Sequence, residues 1–93
     1  MLRITSLLES ETEAVLRVEG RCVGPYVQVL EETLNPIVAQ GKLITLEVED
    51  LEYVDPTCAQ LLVELSLRGV LLKGCRGFVR LQLGLSRDPT SNA

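Results

Sequence analysis

With 93 residues and a formal net charge of −4, the chain has room for one domain with one modest core, since a chain of this size buries only about 60–65% of the surface its unfolded form exposes. Thirteen acidic residues against nine basic ones argue against nucleic acid, which rewards a basic patch. No apolar run approaches the ~20 residues that cross a bilayer, and "MLRITSLLESE" lacks the basic leader and apolar centre of a signal peptide.

In chain order, "LRITSLL" reads as a first strand. "ETEAVLRVEG" reads as a second, with Ala14, Leu16 and Val18 on one face and Glu13, Arg17 and Glu19 on the other. The two pair as a hairpin through "ESET". Gly24-Pro25 opens a helix, because proline suits the first helical position. Its apolar stripe is Tyr26, Leu30, Leu34 and Ile37 or Val38. Pro36 kinks it or stops it near its end, and Gly41 in "QGK" closes it.

"LITLEVED" is the next strand, with Ile44, Leu46 and Val48 alternating against Thr45, Glu47 and Glu49. "LEYVD" leads to a second helix from about Pro56 to Leu72. "KGCRG" turns, and "FVRLQLG" makes a last strand with Val79, Leu81 and Leu83 inward. The order is β-β-α-β-α-β. An α/β fold is expected, a small mixed β-sheet whose strand–helix–strand units pair in parallel, with both helices packed on one face. Residues 1–85 form the single domain and 86–93, "SRDPTSNA" with its neighbours, a polar C-terminal tail.

Three candidate features follow. Charge is uneven: residues 43–66 carry six acids and no base, while five of the nine basic residues fall in 67–93. Two solvated faces explain this, and an acidic rim for a basic partner is the sharper alternative. The second helix is apolar nearly all round. Cys58, Leu61, Leu62 and Leu65 face the sheet, Ala59, Val63, Leu67 and Val70 point partly outward, and Gln60, Glu64 and Arg68 form a polar stripe. It is either packed on two sides or offers a patch to a partner or to a second copy in a homodimer. Three cysteines, at 22, 58 and 75, are odd in number and show no Cys-x-x-Cys spacing, which fits free thiols in a reducing cytoplasm. With no histidine present, neither a metal site nor a base for a reactive Cys58 is expected, and no cofactor.

The stretch Asp55-Pro56-Thr57-Cys58 is the main candidate. Asp55 is a strong N-cap residue and Pro56 a favoured first helical residue. Helix initiation alone accounts for them. The same geometry also offers a helix N-terminus that welcomes negative charge beside a hydroxyl that can carry it, with Asp55 there to oppose a phosphate.

"LITLEVEDLEYVDPTCAQLLVEL" resembles the signature of STAS domains, the family of anti-sigma factor antagonists. There an apolar strand and an acidic turn lead to Asp-Ser-Ser-Gly and a leucine-rich helix. "VLRVEGRCVGPYVQVLEETL" is similar to the family's second strand, its closing glycine and its first helix. The resemblance implies a regulatory module and not an enzyme, one that binds an anti-sigma factor or serine kinase and is released by phosphorylation.

Matched position by position, Asp55 stands for the signature aspartate, Pro56 for the first serine, Thr57 for the phosphorylated serine and Cys58 for the glycine. Pro56 and Cys58 depart from the pattern. Val23 stands where the family has a second acid, and the family's final helix has no counterpart in "SRDPTSNA". The implied partner surface comprises Cys22, Val23, Gly24, Glu52, Gln60, Val63, Glu64 and Leu67, within the loops 21–26 and 52–58 and along the second helix. Two alternatives stay open: a non-switching STAS subunit of a transporter or signalling complex, and a small thiol enzyme or redox sensor centred on Cys58.

Overall fold

The computed structural model describes residues 1–74. These form five strands and two helices: β1 (Leu2–Glu9), β2 (Glu13–Cys22), α1 (Pro25–Ala39), β3 (Leu43–Glu47), β4 (Leu51–Val54), α2 (Pro56–Leu67) and β5 (Leu71–Lys73). The expected last strand in 78–84, the boundary at 85 and the tail 86–93 lie outside the described residues.

The second strand is the hub of the sheet. β1 pairs with it antiparallel, and β3 and β4 pair with it in parallel along successive halves. β5 adds to β3, also in parallel. The sheet is therefore mixed, with parallel pairing where a helix intervenes. Alternation in β2 behaves as its sequence implies: Ala14, Leu16, Val18 and Cys22 are buried, while Val15, Arg17 and Glu19 are half-buried. The hairpin turn is held by Ser10, whose Oγ accepts from the N–H groups of Thr12 (3.2 Å) and Glu13 (3.1 Å).

Both helices lie on the Ala14–Leu16–Val18 face. Leu30 and Leu34 of α1 and Leu62 and Leu65 of α2 join Leu46, Val48, Leu51 and Val54 in one core. Burying that apolar surface is the main stabilising force, at about 25 cal/mol per Å². The opposite face carries the Arg17–Glu47 ion pair at 3.5 Å, too exposed to contribute more than a fraction of a kcal/mol.

Four sequence expectations need correction. The strand expected through Asp50 stops at Glu47. The chain steps out at Glu49-Asp50 and then resumes pairing on β2 as β4, the step being closed by Leu51 N–H to Val48 O at 3.1 Å. Gly20 of β2 donates its N–H to Asp50 O at 3.1 Å at this junction, and on the β1 side a Cβ there would collide with the carbonyl oxygen of Met1. The second correction concerns α2, which ends at Leu67 and not at Leu72. Gly69, at φ 101, lets the chain reverse, and two bonds seal the end: Gly69 N–H to Ser66 O and Val70 N–H to Leu65 O, each 3.0 Å. This is a Schellman ending, with Val70 and Leu65 both buried as its apolar contact. The residues freed from the helix become β5.

Third, Val27 and not Tyr26 starts the buried stripe of α1. Pro25 already occupies the first helical position, and the 3.6-residue period then places Val27, Leu30 and Leu34 on one side. Pro36 is accommodated inside the helix, which runs on to Ala39. Fourth, Ala59 of α2 faces inward with Cys58, and Val70 is buried beyond the helix end.

Candidate functional site

Cys22 and Val54 are direct partners in the parallel β2–β4 ladder. Each strand therefore ends at the same level, and each is followed within three residues by a helix beginning with proline, Pro25 in one case and Pro56 in the other. Two helix N-termini are thus set side by side beyond the carboxyl ends of parallel strands, the place where open α/β sheets commonly carry their sites.

Asp55 joins them. Its Oδ1 accepts from the Cys58 N–H at 2.8 Å, capping α2. Its Oδ2 accepts from the Gly24 N–H at 2.9 Å, at the start of α1. Its own backbone N–H donates to Cys22 O at 3.1 Å, and its carbonyl accepts from Ala59 N–H at 2.8 Å. The carboxyl pKa is held below the usual range, first by the Cys58 N–H bond and then by the Gly24 bond. A carboxylate accepting backbone N–H groups is favoured in its charged form.

Gly24 has φ 54 and ψ −128, and α1 receives no side-chain cap from it. Val23 O and Gly24 O instead accept from Tyr26 and Val27, each at 3.1 Å. Thr57 and Pro56 are exposed, directly beside the clasp formed by Asp55. On α2, Gln60, Glu64 and Leu67 continue the exposed stripe from Thr57, while Val63 is half-buried at its border. Leu67 is 83% exposed. Glu52 and Gly24 are exposed and Val23 is half-buried.

Beneath this surface lies a pair of thiols. Cys22 and Cys58 are both free and fully buried. Each thiol is the main influence on the other's pKa, which is lowered for Cys22 and raised for Cys58, burial adding to the rise. Both residues are 0% exposed, backbone included, so Cys22 does not belong to the partner surface the sequence suggested and Cys58 lies beneath it.

Sequence reasoning singled out both loops but not what ties them together. The Asp55–Gly24 bond spans 31 positions. The one local signal was the repetition of a strand ending followed by a residue–proline pair. The stacking of the Arg21 guanidinium over the Tyr53 ring, 5.4 Å from its centroid, was equally unannounced, although both residues fall in the loops named. It links the same two loops on the other face of the sheet and contributes about 0.5–1 kcal/mol at such an exposed position. No helix among the described residues is long and apolar enough to cross a membrane. Comparison with protein-family models and with curated protein sequences finds no match to this chain.

Proposed function

We propose that this chain is a STAS-like regulatory module that works by protein–protein contact and not by turnover. Its partner is an anti-sigma factor or serine kinase, and its working surface is made of the loops 21–26 and 52–58 with the exposed stripe of α2. The observation that carries this reading is the double clasp by Asp55. It holds two helix starts at fixed spacing and leaves the Thr57 hydroxyl exposed beside them.

A phosphate on Thr57 adds about −1.5 to −2 charges next to the Asp55 carboxylate. Repulsion between the two loosens the clasp and changes the charge and shape of the surface a partner reads. The switch is then a local electrostatic event with a binding readout. Exposed Glu52 and Glu64 give that surface an acidic rim, suited to a basic face on the partner.

One observation favours the non-switching STAS subunit. Pro56 has no N–H, and the Cys58 and Ala59 N–H groups are already taken by Asp55. A phosphate on Thr57 therefore finds few free donors at this helix start. Incubating the purified chain and its captured partner with ATP and magnesium separates the two readings. The switch requires phosphate on Thr57 and at least tenfold weaker binding by Thr57→Glu. Constitutive binding with Thr57 unmodified and Thr57→Glu unaffected would leave only the non-switching reading.

A further inference from the structure

We propose that the outer edge of β1 is a self-pairing surface, on which a second copy of this chain lays its own β1 antiparallel to form a two-fold dimer with one continuous sheet. The inference goes beyond the partner reading and does not depend on it.

The backbone is the ground for it. β1 stands at one edge of the sheet, with β2 on its inner side and, among the described residues, no strand on its outer side. The Arg21 N–H donates to Met1 O at 2.8 Å, so the Met1 carbonyl points into the β1–β2 ladder. Antiparallel pairs alternate between bonded and non-bonded. Arg3 and Thr5, opposite Glu19 and Arg17, therefore spend their N–H and C=O groups on β2, and Leu2, Ile4 and Ser6 turn theirs outward. Gly20, opposite Leu2, agrees in phase: its N–H points away from β1, to Asp50 O at 3.1 Å.

A row of unpaired donors and acceptors is a template for another strand. Sheet edges are ordinarily blunted by brevity, charge or proline. The opposite edge, β5, is three residues long and ends in Lys73. β1 has eight residues, no proline, and Arg3 as its one charge before Glu9. Its bulge between Ser6 and Leu8 leaves 2–6 as a regular segment.

The symmetry of that segment selects a second copy as the occupant. A two-fold axis at Ile4 sets Ile4 against its own mate, Leu2 against Ser6 and Arg3 against Thr5. Every outward N–H and C=O from Leu2 to Ser6 then finds a partner, and no like charges face each other. An axis at Arg3 would oppose two arginines, which is unfavourable, and an axis at Thr5 would run the pairing into the bulge. The favoured register also lays Met1 on Leu7, next to Leu8. These three apolar residues are 82%, 43% and 47% exposed in the single chain. On the helix side, Leu2 and Ile4 line a groove of about 370 Å³ walled by Val29, so the side chains that meet at the axis are apolar there too. The contact uses the same surface on both copies and closes at two. β4 joins β2 on the side away from β1, so the loop 52–58 that follows it stays free for another partner.

The test uses the full chain under reducing conditions. Sedimentation equilibrium over a wide concentration range is combined with amide hydrogen exchange read by NMR at both ends of that range. The expected result is a monomer–dimer equilibrium, with exchange at Leu2, Ile4 and Ser6 slowed about tenfold or more at the high end. Ser6→Pro deletes only an outward N–H, which an edge strand tolerates. It should weaken the dimer about tenfold, because two-fold symmetry removes the bond twice, and leave the circular dichroism unchanged. A monomer at every concentration would overturn the proposal. So would a dimer whose exchange at these three amides is unchanged, since its interface would lie elsewhere. Exchange that is slow at every concentration would also overturn it, because the edge would then be covered within one chain. The exchange comparison is made on the native chain, so a folding defect in Ser6→Pro does not blunt the test.

Discussion

The two helices start at the same level of the sheet by different means. α2 carries its own cap, Asp55, in the extended conformation that an N-cap residue adopts. α1 has only Gly24, with backbone angles that an L side chain rarely takes and no side-chain acceptor. The difference is resolved by sharing: the cap of α2 spends its second oxygen on the start of α1. What this teaches is that the local stability of loop 21–26 depends on a residue in a different loop. The two halves of the candidate surface are one mechanical unit.

Removing the shared cap should do the most damage. Asp55→Ala leaves Cys58 N–H without its acceptor and releases Gly24, and we expect a loss of about 2 kcal/mol in a urea titration. Hydrogen exchange should quicken at the first turns of both helices. Faster exchange at α2 alone would show that the Gly24 bond carries no weight and that the two starts are independent.

Gly24→Ala attacks the other side of the comparison. A Cβ there meets no atom within 4 Å, so the expected cost of about 1–2 kcal/mol is backbone strain alone at φ 54 and ψ −128. A neutral result, read by thermal melting, would mean that loop 21–26 relaxes freely and that α1 does not need this start.

Acid should separate the charge of the clasp from its shape. The Asp55 pKa is depressed in the folded chain. Its contribution is therefore complete above the unfolded value of about 3.9 and is lost as pH falls through the lower folded value. Asp55→Asn can still cap Cys58 through its carbonyl but turns a donor or nothing toward Gly24, at a cost of about 1 kcal/mol near pH 7. That gap to the native chain should close as pH drops below about 4. A gap independent of pH would show that the carboxylate charge is not what joins the helices.

The smallest effect is expected at Thr57. Its side chain is exposed, so Thr57→Ala should change stability by less than about 0.5 kcal/mol. A larger loss would make the hydroxyl a structural part of α2 and not a free surface group.

Much of this architecture was legible in the chain. The period-2 alternation of residues 13–19 and 43–48 gave two strands their faces, since successive strand side chains point to opposite sides. Pro25 and Pro56 marked both helix starts, Asp55 announced itself as a cap, and Gly41 closed α1 as expected. The end of α2 was less legible. Val70, Leu71 and Leu72 continue an apolar run, and nothing local tells a buried helix turn from a buried strand. Gly69 was the only cue. The break between β3 and β4 was similarly hidden, because pairing on β2 resumes after it.

By itself, then, the sequence determined the class of fold, the central strands, both helix starts and the exposed Thr57 beside Asp55. These depend on periodicity, proline geometry and capping, all of which act within a few residues. Only the tertiary structure decided that Asp55 also holds Gly24 and that Arg21 lies over Tyr53. Both contacts join segments more than thirty positions apart. They exist because β2 and β4 pair in parallel with a fixed register, and a register is a property of two strands together and not of either alone.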